Sequence, residues 1–237
     1  MMLKKVKSTL VAKMKESPLA WRLARSCGIS SHGAIAGRRT DICVEGFESS
    51  ANSYTLNVIR YVGDDLSIAH HCHTAASVKI AVEHGVPTIV LFRNPEDAIP
   101  SVVSRFRPGV YEATVAYTSF YKTVMNLVDD IILVSFDEAT SRTEEMIKKV
   151  KDLTAVKFND YESIQEVDQA VKQHIKEWKA KSQDPSTTPL PTAEREKKKG
   201  HVREKMHRLP EYNQAANMYQ QVCAAYETQQ QRIHRNA

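Results

Sequence analysis

A run of histidines in the first half of the chain could move protons. His71 and His73 are separated by one residue, and alternate residues of an extended segment point to the same side, so both side chains are expected to face one cleft. Imidazole changes its protonation state near neutral pH, which suits a general base. Two alternatives stay open: histidines that only make structural hydrogen bonds, and a metal site, although no third ligand lies at a spacing typical of zinc.

A second run, rich in small hydroxyl side chains, precedes a predicted helix and could bind an anion. Backbone N–H groups at a helix N-terminus lack helical partners and lie at the positive end of the helix dipole, so they favour phosphate or sulfate. In the alternative interpretation, Ser50 or Asn52 only caps the helix. The run consists of Ser49, Ser50, Ala51, Asn52 and Ser53.

A third run begins with an arginine that follows the most apolar predicted strand. The Arg93 guanidinium could bind a phosphate through its fork, and the Ser101 hydroxyl could add a donor. Asn94 and Pro95 have the order of an N-cap and a first helical residue, whereas Pro100 argues against two regular first turns. The alternative is that Arg93 pairs with an acidic neighbour.

These three runs need a scaffold, and the alternation of short apolar runs with amphipathic segments predicts one. Parallel strands linked by helices give an α/β fold with a three-layer parallel sheet. The run at 88–92 is the clearest strand, because a strand covered on both faces is apolar throughout. Ligands bind beyond the carboxyl ends of such strands, and each of the three runs follows a predicted strand. The predicted strands are 41–47, 66–71, 88–92 and 130–136.

The predicted helices cover the sheet and extend beyond it. One of them, at 164–181, has an apolar stripe that we expect in the core. Other helices are predicted at 52–61, 75–85, 111–127, 143–153, 193–208 and 211–230. The stripe consists of Ile164, Val167, Val171, Ile175 and Trp178.

Composition and charge divide the chain into four parts. The first 40 residues hold nine basic residues and one acidic residue, a net charge of +8, which leaves −3 for the rest of a chain whose total is +5. We therefore predict a basic helical extension at 1–40, which could contact an anionic membrane surface, and an α/β core at 41–181. A Pro/Ser/Thr-rich linker at 182–192 and a C-terminal helical segment at 193–237 follow.

Several classes of protein are disfavoured. A uniformly basic nucleic-acid-binding surface does not fit a core with net negative charge, so no nucleic-acid partner is expected. Neither GxxxxGK[ST] nor GxGxxG occurs, which argues against ordinary Walker kinases and GTPases. Four scattered cysteines favour a reducing cytoplasm, and the longest apolar runs are too short to span a bilayer.

The order and spacing of these runs resemble sulfotransferases that use 3'-phosphoadenosine-5'-phosphosulfate (PAPS), particularly their short bacterial branch. That family has a loop of the form PRSGNTF or PKSGTTW after its first strand, and here Glu48–Tyr54 occupies its place. An arginine at the end of the third strand, followed by Asn/Asp-Pro and by a serine eight residues after the arginine, matches Arg93 and Ser101. Two further elements of the family correspond to Phe136 and to Lys198-Lys199-Gly200.

The resemblance implies a P-loop NTPase-like architecture that transfers a sulfuryl group to a hydroxyl or amine without a metal. It places the 5'-phosphosulfate on the run 49–53, and the 3'-phosphate on Arg93 and Ser101 with the basic run at 198–200. His71 or His73 would then take the proton of the acceptor. The acceptor class stays open among glycans, lipids and small molecules.

Three positions depart from the family pattern and suggest other functions. Ser49 replaces a Lys or Arg, Ala51 replaces a Gly and Glu48 replaces a Pro. The loop thereby lacks a cation beside the reacting group, which a lysine of 197–199 could supply. A catalytically inactive regulatory protein that binds 3'-phosphoadenosine-5'-phosphate (PAP) is one alternative, and a kinase-like nucleotide enzyme is another.

Overall fold

The computed structural model describes residue 11 and residues 13–28, 33–181 and 193–236. Its centre is a four-stranded sheet in the order β2-β1-β3-β4, and all three pairings are parallel. The predicted α/β class with a parallel sheet is thereby confirmed. The strands are β1 (Ile42–Gly46), β2 (Ile68–His70), β3 (Thr88–Phe92) and β4 (Ile132–Ser135).

Ten named helices flank this sheet in the described part of the chain. Four of them connect consecutive strands, as parallel crossovers require, and the predicted bounds of two helices and one strand are met in full. The helices are α1 (Pro18–Ser26), α2 (Asn52–Val62), α3 (Ala75–Glu83), α4 (Pro95–Phe106), α5 (Val110–Val124), α6 (Phe136–Ser141), α7 (Thr143–Leu153), α8 (Ile164–Lys181), α9 (Ala193–His207) and α10 (Pro210–Asn236).

The sheet has an apolar core on each face because successive side chains of a buried strand point to opposite sides. On β3, Ile89 and Leu91 belong to the core beneath α2, α7 and α8. Val90 and Phe92 belong to the core beneath α4, α5 and α10. Continuous hydrophobicity at 88–92 is thus explained by burial on both faces.

Helix α4 corrects the expectation for Pro100, which lies inside a regular helix. Proline has no N–H, so the carbonyl of Glu96 loses its helical donor four residues later. Arg203 of α9 replaces that donor, because its Nε donates to the Glu96 carbonyl at 2.9 Å while its Nη2 contacts Asp97 Oδ1 at 2.9 Å. The proline therefore creates an attachment point for α9 at the start of α4.

The apolar stripe of α8 is also only partly in the core. Val167, Val171 and Ile175 are buried, but Trp178 is 57% exposed. The core on this face of the sheet includes Ile175 and not Trp178, so the prediction for Trp178 was wrong. The predicted linker at 182–192 and the first ten residues of the basic extension lie outside the described residues. Within the parts that the structure describes, no helix is both long and apolar enough to cross a membrane.

Candidate functional site

The strand order reverses between β1 and β3, and the loops that follow these two strands meet at this point. A crevice at such a switch point is the usual ligand site of an open α/β sheet. Arg93, directly after β3, donates from Nη1 to the carbonyl oxygen of Ser49, after β1, at 3.0 Å. The structure thus brings two of the predicted anion-binding runs together.

The loop of residues 47–51 leaves the N-terminus of α2 without a side-chain cap. Ala51 is the N-cap residue, with φ 73° and ψ 14°, and no described side chain bonds to the first amides. Asn52 instead donates to the carbonyl of Phe47 at 2.9 Å, and the buried Ser50 Oγ has no hydrogen-bond partner among the described residues. The alternative that Ser50 or Asn52 caps this helix is therefore wrong, and the first amides of the helix have no side-chain cap.

Arg93 is held by an aromatic ring and not by an acid. Its guanidinium carbon lies 3.8 Å from the centroid of the Phe136 ring, at the start of α6. Within the described ranges Arg93 makes no ion pair, although Asp97 and Glu196 act to raise its pKa against the larger effect of burial, which lowers it. A half-buried guanidinium with incomplete charge compensation is suited to bind a phosphate. Ser101 is buried two turns into α4, and its contact with an anion stays a prediction.

A second arginine, which sequence reasoning missed, reaches the same loop. Arg105 of α4 donates from Nη1 to Ser49 Oγ at 3.0 Å. The guanidinium therefore lies beside the position where the family pattern has a basic residue and this chain has serine. No motif in the sequence marks Arg105. It lies about three helical turns after Arg93, and only the packing of α4 brings its side chain to the loop.

The basic run at 198–200 is helical and does not form a closing loop. Lys198, Lys199 and Gly200 lie within α9, and Lys199 is buried and paired with Glu196 at 2.6 Å. Helix α9 packs on α4, and Glu196 is close enough to influence the pKa of Arg93. The run is thus near the crevice, while its contact with a 3'-phosphate stays a prediction.

The two predicted histidines lie side by side, for a different reason from the one given by the sequence. Both have left-handed backbones, with φ 56° at His71 and φ 50° at His73, so the extended alternation was wrong. Their ring centroids are nevertheless 5.4 Å apart. His71 Nε2 lies 3.0 Å from Ser53 Oγ, and His73 Nδ1 lies 2.9 Å from the carbonyl oxygen of Gly46.

A buried carboxylate holds the histidine turn in place. Glu45 of β1 is fully buried, and its two oxygens accept the backbone N–H groups of Cys72 at 2.8 Å and His73 at 2.9 Å. Burial raises the pKa of Glu45, against the lowering effects of His73 and of these two amides. The sequence signal that could have identified Glu45 is a single charged residue within an otherwise apolar strand.

Burial also determines the protonation of the histidines beside β2. It lowers the pKa of His71 to about 3, with smaller effects in the same direction from His73, His70, Arg60 and Arg105. The pKa of His70 falls to about 4, again through burial first and then through Arg60 and His73. Both rings are therefore neutral at pH 7.

A small cavity of about 30 Å³ lies beside His73. Phe47 and Phe120 form apolar walls, and Glu48 and Lys15 supply charged groups. A cavity of this volume holds about one water molecule, and His73 is the predicted histidine that borders it. A more open depression of about 590 Å³ adjoins Tyr61, at the opposite end of α2 from the crevice.

The described residues contain no group of three or more His, Cys, Asp or Glu side chains that could hold a metal ion. A scan against protein-family models gives no match, and a search of curated proteins gives none either. The function of this chain must therefore be argued from the geometry of the crevice itself.

Proposed function

We propose that this chain is a PAPS-dependent sulfotransferase with a P-loop NTPase-like architecture, acting on a hydroxyl or amine acceptor. The observation that carries the proposal is the meeting of Arg93, Arg105 and the uncapped N-terminus of α2 at the β1/β3 switch point. Two guanidinium groups and a set of backbone amides at one crevice favour a ligand with more than one anionic group.

The residues present fit such a ligand. The amides of the loop 47–51, with Ser50 and Ser53, would hold the 5'-phosphosulfate. Arg93 and Ser101 would hold the 3'-phosphate, with Phe136 fixing the Arg93 plane. When bound, PAPS supplies an activated sulfuryl group.

Arg105 removes the main objection that the sequence raises. The loop has serine where the family has a cation, yet the Arg105 guanidinium contacts that serine. A positive charge preorganised beside the reacting group stabilises negative charge that develops there. The missing cation is thus supplied by α4, in place of the lysines of 197–199.

His73 is the better candidate for the base. A carbonyl oxygen can only accept, so the bond to Gly46 requires the proton of neutral His73 on Nδ1. Its Nε2 then has a free lone pair and can take a proton from the acceptor. Because His73 borders the small cavity, the acceptor would approach from that side.

Calorimetric titration with PAP tests the cofactor site. We expect binding by the wild-type chain, at least tenfold weaker binding of adenosine 5'-phosphate, and a loss of about tenfold to a hundredfold in PAP affinity for Arg93→Ala, since a hydrogen bond to a charged group contributes about 1.5–3 kcal/mol. The matched control is Arg232→Ala, which removes an exposed arginine of α10 that pairs with Asp129. Equal affinity for both nucleotides, or an unchanged Arg93→Ala, would overturn the assignment.

A second candidate is a regulatory protein that binds PAP without catalysis, favoured by Ser49 and by the left-handed Ala51. The conversion of PAPS to PAP, with water or an added acceptor, separates the two. Sulfotransferase function predicts that Arg105→Leu slows this conversion about 10²-fold to 10³-fold, as loss of one preorganised electrostatic contact does, and that Arg105→Lys recovers part of the rate. Tight PAP binding with no conversion by the wild type would instead support the regulatory protein.

A further inference from the structure

Four polar side chains form a continuous hydrogen-bonded row that ends at the crevice. Arg60 Nη2 lies 3.1 Å from His70 Nε2, His70 Nδ1 lies 3.0 Å from His71 Nδ1, and His71 Nε2 lies 3.0 Å from Ser53 Oγ. Arg60 is exposed at the C-terminal end of α2, whereas Ser53 is in its first turn. We call this row the Arg60–Ser53 relay.

The chemistry of its first member fixes the direction of every bond. A guanidinium only donates, so His70 Nε2 must accept and its proton must be on Nδ1. His70 Nδ1 therefore donates to His71 Nδ1, which places the proton of neutral His71 on Nε2. His71 Nε2 then donates to Ser53 Oγ. Neutral rings are what burial requires, since it lowers the pKa of both histidines.

The last bond decides what the serine can do. Ser53 has one hydroxyl hydrogen, and because its oxygen accepts from His71, that hydrogen is available to donate elsewhere. Ser53 is the second residue of α2, so its hydroxyl lies among the uncapped amides. A donor already polarised by an incoming hydrogen bond is stronger toward an anion.

We propose that the Arg60–Ser53 relay orients the Ser53 hydroxyl as a donor to the phosphate or sulfuryl oxygens of the ligand. His71 is consequently not the general base, because its Nε2 carries the relayed proton and its Nδ1 lone pair accepts from His70. Arg60, His70 and His71 are positioning residues, and Ser53 is the binding residue. The identity of the anion rests on the proposed function, whereas the direction of the relay does not.

Histidine tautomers measured by long-range ¹H–¹⁵N NMR test the relay without any ligand. We expect protons on Nδ1 of His70 and Nε2 of His71, with no titration of His71 between pH 5.5 and pH 8, since its pKa is about 3. Signals are assigned with His70→Gln and His71→Gln. An Nδ1-protonated His71, or a His71 that titrates in this range, overturns the relay.

Arg60 offers a sharper test because it is exposed and lies at the end of α2 opposite to the crevice. Arg60→Leu should allow His70 to adopt either tautomer and should weaken PAP binding about threefold to tenfold. Arg60→Gln keeps a donor, so it should preserve the His70 tautomer and the PAP affinity. Arg232→Leu is the control for loss of an exposed arginine. An Arg60→Leu variant with unchanged tautomers would contradict the proposal.

The ligand-binding step is tested by a mutant cycle. Ser53→Ala should weaken PAP binding about tenfold, as loss of a hydrogen bond to a charged group does, and Arg60→Leu should then have no further effect. Additive effects would show that Arg60 does not act through Ser53. If the wild-type chain binds no PAP, the proposed function fails together with the anion role of Ser53, while the tautomers still decide whether the relay exists.

Discussion

Four of the six non-glycine residues with positive φ in the described part of the chain lie at the crevice. Ser49, Ala51, His71 and His73 all have left-handed φ values between 50° and 73°, and none is glycine. Each such residue costs on the order of 1 kcal/mol, and strain of this kind persists where function requires a geometry. Four strained residues at one edge of the sheet independently point to the crevice as the functional site.

Ala51→Gly tests this strain directly. Glycine adopts the left-handed conformation without a Cβ clash, so we expect a gain of about 0.5 kcal/mol in the free energy of unfolding, after the greater freedom of glycine in the unfolded chain is subtracted. Urea unfolding measures it. The control is Ala216→Gly within α10, where glycine should lose about 0.5–1 kcal/mol. A loss at both positions would mean that Ala51 is not strained.

The residues that sequence reasoning found are those within a motif, and those it missed act across elements. Arg93 and the run 49–53 stand at the ends of strands, where topology alone brings them together. Arg105 and Arg60 belong to the site only because their helices return long side chains to it, and no spacing along the chain encodes that. The same reasoning fails for the backbone at 71–73, where Glu45 of a neighbouring strand accepts the N–H groups of Cys72 and His73.

At the scale of helices and strands, the apolar pattern of the sequence predicted which segments are buried. It did not predict the effect of an unusual residue such as Pro100. Strand β3 and helix α7 match their predicted bounds, because continuous or periodic burial leaves a direct trace in the sequence. Pro100 is read locally as a helix breaker, yet the structure keeps the helix, because a side chain from α9 satisfies the carbonyl that proline leaves open. Compensation of this kind cannot be deduced from a local pattern.

The attachment of α9 to α4 can be measured with a mutant cycle. Arg203→Met should lower the free energy of unfolding by about 1–2 kcal/mol, because the Glu96 carbonyl loses its donor. In a Pro100→Ala background, the new N–H can bond to that carbonyl, so the loss should be smaller by about 0.5–1 kcal/mol. Arg208→Met, at an exposed residue just after α9, is the control. Equal losses in both backgrounds would show that Arg203 does not replace the missing N–H.

The whole molecule is held together by cores that join early and late parts of the chain. Met206 of α9 and Val222 of α10 are buried in the same cluster as Val90 and Phe92 of the central strand. The division of the sequence at 182–192 therefore does not separate two cores in the described residues. A shared core favours a single cooperative unit, since exposing one part uncovers the other.

Met206→Ala tests whether the C-terminal helices unfold with the sheet. Met206 is fully buried, so the variant should lose about 2–5 kcal/mol, whereas Met218→Ala at a half-buried position of α10 should lose less. In a Trp178→Phe background, Trp21 is the remaining tryptophan of two and reports from the core beside α3. Far-ultraviolet circular dichroism and Trp21 fluorescence should shift by the same amount in urea. Met206 and Trp21 lie in different clusters. An early transition seen by circular dichroism alone would therefore mean that α9 and α10 detach from the sheet before the sheet unfolds. Arg93 would then lose the helix that packs beside the crevice.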